Sequence, residues 1–428
     1  MRELKDEKMN IVSRKKILIG IITFGILLKL VFMVATHSWR MDNDFHFAYE
    51  AGFIGASLAS GNGYSLGAIE MEHHKNKANE PTAWEAPVYP FIIAAVFKVF
   101  GIFSTTSAVV LICIQIFISG MICIVLFLIG KHLFNDFAGI LAVLLFILNP
   151  SAMHFVVQKI YNTPLYILFL LLFIYYLLKI AEFPSYKASL LTGVFCGMAI
   201  LTAPFIIAFL PFALIWYLLR GNGGMKIRLV SICLILLAIS ATISPWQIRN
   251  YITFNRFILV RSNLSRELYL GTYGQPRLSE SDKKQLEMKD EGKRASIYQK
   301  SFFESVKARP KKFIRRTTDR FIRFWFSLPR IGGPYAQMTG SSRELVLQFY
   351  YLFILLSGVI GICVTGLKRS SNQLLMFSIF SLPLPFYITW FTRYRYRFPV
   401  EIILTLFAAY SFYSLWKYYS VKRRPKII

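Results

Sequence analysis

Residues 111–130 read LICIQIFISGMICIVLFLIG, a run without a single acidic or basic side chain. About 20 such residues carry a helix across the hydrocarbon core of a bilayer, where only a helix or a closed barrel satisfies every backbone N–H and C=O internally. The stretch is read as a membrane-spanning helix. Runs of the same kind recur near 17–36, 107–130, 137–156, 163–180, 187–203, 204–219, 229–246, 348–367, 372–391 and 398–416. The predicted fold class is an all-α polytopic membrane protein of about ten transmembrane helices. Thr202-Ala203-Pro204 is the only break between the fifth and sixth runs, and could mark a kink within one helix pair as well as a turn.

Composition agrees with the membrane reading: of 428 residues, 55% are hydrophobic and 17% charged, far from the balance of a soluble domain. The net charge of +27 would suggest nucleic acid in a soluble protein, but here cytoplasmic loops, lipid headgroups and phosphorylated lipid substrates account for it equally. Cys113, Cys123, Cys196, Cys233 and Cys363 all fall in apolar runs without metal-ligand spacing and read as small hydrophobes. The basic N-terminus precedes an apolar run from Ile17 to Ala35 that is too long for a signal-peptide core and lacks a convincing cleavage site, so it is expected to stay as an anchor.

The distribution of lysine and arginine orients the chain. With about ten spans, Arg14, Lys15 and Lys16, Lys131, Arg220, Lys226 and Arg228, Lys368 and Arg369, and Lys417 to Lys426 all fall on one side, which is therefore cytoplasmic together with both termini. The expected order is a cytoplasmic N-terminus 1–16, a first span 17–36, outer loop one 37–106, six spans in 107–246, outer loop two 247–347, three spans in 348–419 and a cytoplasmic tail 420–428. Loop one is acidic and loop two strongly basic. A third outward segment, FTRYRYRFP at 391–399, breaks the positive-inside rule and suggests a negative partner waiting there.

Both long loops carry helical patterns. Phe47, Ala51, Ile54 and Leu58 form one stripe of a helix closed by the turn signal SGNGY at 60–64, and residues 86–101 are apolar but too short to span. Residues 296–328 mix basic side chains with Phe302, Phe313, Phe321, Phe324 and Trp325, a pattern of helices resting on a membrane surface. An acidic loop facing outward arginines suits group transfer from a lipid-carried donor, since nucleotide-activated donors are absent outside the membrane. A carboxylate would take the acceptor proton and arginines would hold charge developing on a departing phosphate.

The ordered pieces DFHFAYEAGFIGASLASGNGYS (44–65), PTAWEAPVYPFIIAAVFKVFG (81–101), LTAPFIIAFLP (201–211), SPWQIRNYITFNRFILVRSN (244–263), ELYLGT (267–272) and YRYRFPVE (394–401) resemble the C-type (GT-C) membrane glycosyltransferases, in the bacterial branch similar to the dolichyl-phosphate-mannose protein mannosyltransferases. The resemblance implies a GT-C fold with juxtamembrane helices in the outer loops. It also implies an integral membrane enzyme of the plasma membrane, with its active site on the outer face, that inverts configuration as it moves a hexosyl or pentosyl group. The partners would be a polyprenyl-phosphate sugar as co-substrate, membrane lipids, and a glycan, lipid or protein acceptor, with no nucleic acid.

By position the family's catalytic base maps to Asp44; the spacing to the glycine turn is longer here than in the family pattern, which leaves Asp42 as the alternative. Asp42 or Asn43 also suits an N-cap. Glu50 lies one turn after His46, as a structural hydrogen-bond partner or a second acid/base group. For the donor phosphate the candidates are Arg249, with Asn250 beside it, then Arg397, Arg395 and Arg393. In an extended stretch these last three would share a face, and in a helix they would fan around it. Glu85 is a further carboxylate candidate whose default reading is a solvated loop residue. EMEHHKNK at 70–77 offers ligand types without a geometry, so no metal site is assigned, although a divalent ion is compatible with the chemistry. The alternative function is a transporter or flippase of a lipid-linked saccharide. Against it stand the lack of an internal repeat and the scarcity of deep charges, Lys29 being the clearest.

Overall fold

A computed structural model describes residues 2–41, 47–67, 70–71, 74–75, 80–273, 291–326, 342–366, 370–389 and 394–422. Among these the regular secondary structure is helical apart from a two-residue antiparallel pair, β1 (Glu70–Met71) with β2 (His74–Lys75), and an isolated bridge between Ser65 and Pro81. In chain order the helices are α1 (Arg2–Ala35), α2 (Tyr49–Ala59), α3 (Val88–Phe100), α4 (Thr105–Leu133), α5 (Asp136–Ile147), α6 (Pro150–Met153), α7 (Thr163–Glu182), α8 (Tyr186–Thr202), α9 (Leu210–Arg220) and α10 (Met225–Phe254). They continue with α11 (Leu264–Tyr273), α12 (Glu291–Ala308), α13 (Pro310–Phe326), α14 (Ser342–Thr365), α15 (Ser370–Ser381), α16 (Leu384–Ile388) and α17 (Tyr394–Lys422).

Among the described residues, six helical stretches are long and apolar enough to cross a bilayer alone: Lys15–Ala35, Thr105–Leu133, Thr163–Glu182, Met225–Phe254, Leu345–Thr365 and Arg395–Ser420. A seventh crossing forms if α5 and the segment Pro150–Gln158 are taken together, across a bend of 55°. The bend has a local cause: Asn149 is extended and caps the next turn by accepting from the Ser151 amide at 2.7 Å, while Pro150 cannot donate back into α5.

The three remaining predicted spans are helical but short or broken. Residues 187–203 become the 17-residue α8, residues 204–219 a 3-10 turn followed by the 11-residue α9, and residues 372–389 the pair α15 and α16. Prolines explain the interruptions, because Pro204, Pro383 and Pro385 remove N–H donors where each helix would otherwise run on. Ala203 is extended (φ −160°, ψ 116°), so the break at Pro204 is complete and not a kink.

The core lies between α4, α5, α7, α14 and α17, and Phe146, Phe173, Phe398 and Phe407 are fully enclosed in it. Lys29 is the deep charge foreseen in the first span: it is 1% exposed, with its ammonium 5.5 Å from the ring centre of Phe146. Glycines allow the closest approaches. A Cβ on Gly361 would lie 2.0 Å from the Phe407 carbonyl oxygen, which is why α14 and α17 can touch backbone to backbone.

Outside the spans, α2 and α3 pack on each other. Phe47 and Ile54 of the predicted stripe are buried, and the closing turn takes left-handed glycines at Gly61 (φ 81°) and Gly63 (φ 75°). α3, at 13 residues, buries Tyr89, Ile93 and Phe97 and leaves Phe91 and Val99 exposed, as an interfacial helix would. α13 likewise buries Phe324 and Trp325, while Ile314, Phe321, Ile322 and Phe326 stay exposed on a helix rich in lysine and arginine.

Candidate functional site

The two long loops predicted to face the same way are joined in the structure. Glu291, at the start of α12, accepts hydrogen bonds from the Thr82 hydroxyl (2.8 Å), the Ala83 amide (3.1 Å) and the Ser262 hydroxyl. The Ser262 amide in turn donates to the Ala83 carbonyl at 3.0 Å. A buried carboxylate with three donors is well satisfied, and it pins residues 82–83 against the segment that follows α10. Arg249 reinforces the join from the end of α10. It donates to the carbonyls of Thr82 (2.7 Å) and Tyr64 (3.3 Å) and to Asn250 Oδ1 (3.0 Å). Its guanidinium also lies 4.9 Å from the Trp246 ring centre and 5.3 Å from that of Tyr64. Asn250 is fully buried and donates to the Ile258 carbonyl at 3.2 Å. In this conformation both residues brace backbone.

Carboxylates and arginines alternate around the joined loops. Glu85 is paired with Arg261 at 2.5 Å, and the Arg261 Nε also donates to the Trp84 carbonyl at 3.0 Å. The Tyr64 hydroxyl holds the Glu85 carbonyl at 2.9 Å. Glu85 is thus an enclosed, tethered residue and not the solvated one its loop position suggested. Burial pushes its carboxyl above the ordinary carboxylate range; Arg261 opposes the shift and Glu50 adds to it. Glu50 sits in the first turn of α2. Glu267, on α11, is raised mainly by burial against the opposing charges of Arg266 and Arg261, and it also senses Glu50. One of its oxygens accepts from Arg266 at 3.2 Å; the other is buried without a hydrogen-bond partner among the described residues.

Beside this cluster lies a mostly apolar cleft of about 360 Å³, its mouth included, lined among others by Asn162, Tyr166, Phe205, Phe386, Arg395 and Tyr396. Arg395 is its one charged lining residue among those described. The guanidinium lies over the rings of Tyr161 (4.6 Å) and Tyr396 (5.3 Å) and makes no hydrogen bond to any described residue. Glu85 and Glu50 are near enough for Arg395 to feel their charge. Tyr161 stacks on Tyr49 at 5.2 Å and so connects the cleft to the first helix of loop one.

Arg397 has a different position. It is 4% exposed, donates to Gln348 Oε1 at 2.9 Å and to the Phe324 carbonyl at 3.4 Å, and covers the Tyr351 ring at 3.5 Å. One turn on, buried Glu401 accepts from Asn149 Nδ2 at 2.7 Å and from the Ser151 hydroxyl at 3.3 Å. These contacts knit α13, α14 and the α5–α6 bend to α17.

The structure therefore gathers Glu50, Glu85 and Arg395, and sets Arg249, Asn250 and Arg397 to tasks within the protein. Asp42, Asp44, His46 and Arg393 lie outside the described residues, as do the side chains of the EMEHHKNK segment. Among the described residues no group of three or more His, Cys, Asp or Glu side chains could hold a metal ion. Sequence reasoning assigned no role to Arg261, Arg266, Glu267, Glu291 or Tyr161. The first three stood within or beside the recognised stretches 244–263 and 267–272, where charged residues in a loop close to the membrane were the available signal.

Residues 84–248 match the family model described as dolichyl-phosphate-mannose-protein mannosyltransferase. No curated protein sequence matches the chain. Among solved structures, the oligosaccharyltransferase of Archaeoglobus fulgidus in the apo form aligns with a TM-score of 0.59 at 12% identity, over 96% of this chain and 53% of that one. The oligosaccharyltransferase AglB from the same organism, in complex with an inhibitory peptide and a dolichol-phosphate, aligns with a TM-score of 0.57 at 11% identity, over 95% of this chain and 51% of its own. The chain spans about half the length of these relatives. The apolar helices and the shared architecture show a multi-pass membrane protein with the fold of these oligosaccharyltransferases, and its residues 84–248 are similar to the dolichyl-phosphate-mannose-protein mannosyltransferases.

Proposed function

We propose that the protein transfers a sugar from a polyprenyl-phosphate donor to an acceptor at the outer face of the plasma membrane, with both termini cytoplasmic. The observation that carries this reading is Arg395: a partly buried guanidinium that faces aromatic rings, makes no hydrogen bond to the described protein and lines an apolar cleft. The charges of Glu85 and Glu50 offset part of the cost of burying this cation, and an apolar cleft lined by a guanidinium whose N–H donors are unengaged among the described residues fits a phosphate on a hydrocarbon tail. The related archaeal structure that holds a dolichol-phosphate supports the same ligand class.

In the proposed reaction an acceptor hydroxyl oxygen attacks the anomeric carbon from the side opposite the phosphate. The bond from that carbon to the phosphate oxygen breaks, and the polyprenyl phosphate leaves with the electron pair and one more negative charge, which Arg395 stabilises. The acceptor proton passes to a carboxylate of the first loop, Asp44, with Asp42 as the alternative, and the configuration inverts. Glu50 orients a hydroxyl of the reacting partners, while Glu85 in its pair with Arg261 holds the loop in place. Each of these steps draws on the chain's own residues.

The test is transfer of label from a panel of radiolabelled polyprenyl-phosphate sugars to cell-envelope acceptors, with the full chain in liposomes. Label should move with the wild type and not with Asp44→Asn, and Arg395→Gln should lower the rate by a factor of about 10² to 10³. Movement of intact donor across the bilayer with no bond cleaved would replace the enzyme by a lipid-sugar transporter.

A further inference from the structure

A second polar group of the same cleft lacks a partner. Tyr166, in the first turn of α7, is 3% exposed, and its hydroxyl is buried and makes no hydrogen bond among the described residues. Its ring meets Phe205 edge-on at 6.3 Å. Of the neighbouring polar lining residues Asn162 and Thr163, Asn162 has its Nδ2 engaged in donating to the Thr202 carbonyl at 2.9 Å. A phenylalanine would fill the same volume without leaving a buried hydroxyl unpaired; of the buried tyrosine hydroxyls that lack a described partner, those of Tyr166, Tyr217 and Tyr351, the one that lines the cleft is that of Tyr166, where an entering polar atom would pair it.

The lining limits what that atom is. A polyprenyl tail has no hydrogen-bonding atom, and Arg395, the one cation in the lining among the described residues, calls for an anion. A phenolic O–H is a neutral donor, suited to an anionic oxygen that a guanidinium alone does not saturate. We propose that Tyr166 donates a hydrogen bond to a phosphate oxygen of the lipid held at Arg395, so that the cleft grips the phosphate from two helices, α7 and α17. This assignment rests on the reading of the cleft as the donor site.

The experiment measures binding to the full chain in nanodiscs of zwitterionic lipid, with polyprenyl phosphate and the polyprenol of the same length as probes, for the wild type and Tyr166→Phe. The wild type should prefer the phosphate. Tyr166→Phe should weaken phosphate binding about tenfold or more, leave polyprenol binding unchanged, and melt no lower than the wild type, because it removes an unpaired buried hydroxyl. If the wild type prefers the phosphate and Tyr166→Phe binds it equally well, the role of Tyr166 is overturned while the donor cleft stands. A wild type that does not distinguish phosphate from alcohol overturns the donor cleft, and the Tyr166 contact with it. Equal competition by inorganic phosphate or phosphatidylglycerol would overturn the assignment to a polyprenyl phosphate.

Discussion

Arg395 and Arg397 stand two positions apart on α17, which turns their side chains about 200° from each other around the axis. One faces the cleft and the other the protein interior, so their variants should fail differently. Arg395→Gln should leave the melting temperature in detergent nearly unchanged while transfer collapses. Arg397→Gln should destabilise the fold by about 3–5 kcal/mol, because it strips the charge partner from buried Glu401 and the donor from Gln348. Equal stability of the two variants would sink this division. Glu85 and Glu267 supply a pH test. Burial raises both carboxyls above their ordinary 4.5, so the folded state keeps protons that the unfolded chain gives up. Stability is then highest near or below that ordinary value and falls as pH rises through the window up to the raised values. Thermal scans across pH should show this slope in the wild type and a shallower one in the Glu85→Gln, Glu267→Gln double variant; identical slopes would refute it.

At the scale of elements, hydropathy located the long apolar helices, but proline and glycine decided how several of them end and pack. The run around 137–156 reads as one straight span, yet Asn149 and Pro150 divide it, and Glu401 from α17 then binds the divided ends. Nothing in the spacing of apolar residues announces that contact, which joins positions 252 apart in the chain. Gly361 is the element-scale prediction. Alanine there would place its Cβ 2.0 Å from the Phe407 carbonyl oxygen, so α14 and α17 must separate. The expected loss is about 1–3 kcal/mol, read as a lower melting temperature in detergent, with Gly20→Ala, which meets nothing within 4 Å, as the neutral control.

Across the whole molecule, the site depends on two loops far apart in sequence being held together by Glu291. Glu291→Ala removes the acceptor for Thr82, Ala83 and Ser262, and leaves Arg249 on the Thr82 carbonyl, the Ser262 amide on the Ala83 carbonyl and Arg261 on Trp84 and Glu85. Amide exchange at residues 82–86 should speed up markedly in that variant while exchange in α4 and α7 stays slow, and transfer should fall although the protein remains in the membrane. Glu291→Gln, which keeps an acceptor, should recover part of both. Unchanged exchange at 82–86 would show that Arg249, Arg261 and the Ser262 amide hold the segment without Glu291.

The sequence by itself determined that this is a helical membrane protein and where its long apolar helices lie, and it singled out the carboxylates of 37–106 and the arginines of 247–347 and 391–399 as expected neighbours. Those properties follow from composition and period along the chain, because bilayer thickness and backbone hydrogen bonding act locally. Tertiary structure alone decided that Arg395 and not Arg397 meets the cleft, since in RYRYR the two look alike and only the helical phase of α17, fixed by packing on α14 and α5, sends them to opposite sides. It likewise decided that Glu85 is enclosed and paired with Arg261, and that Arg249 braces Thr82 and Tyr64. A salt bridge or a carbonyl contact between distant segments costs little to describe once the chain is folded, but no local pattern encodes which partner a charged side chain will find.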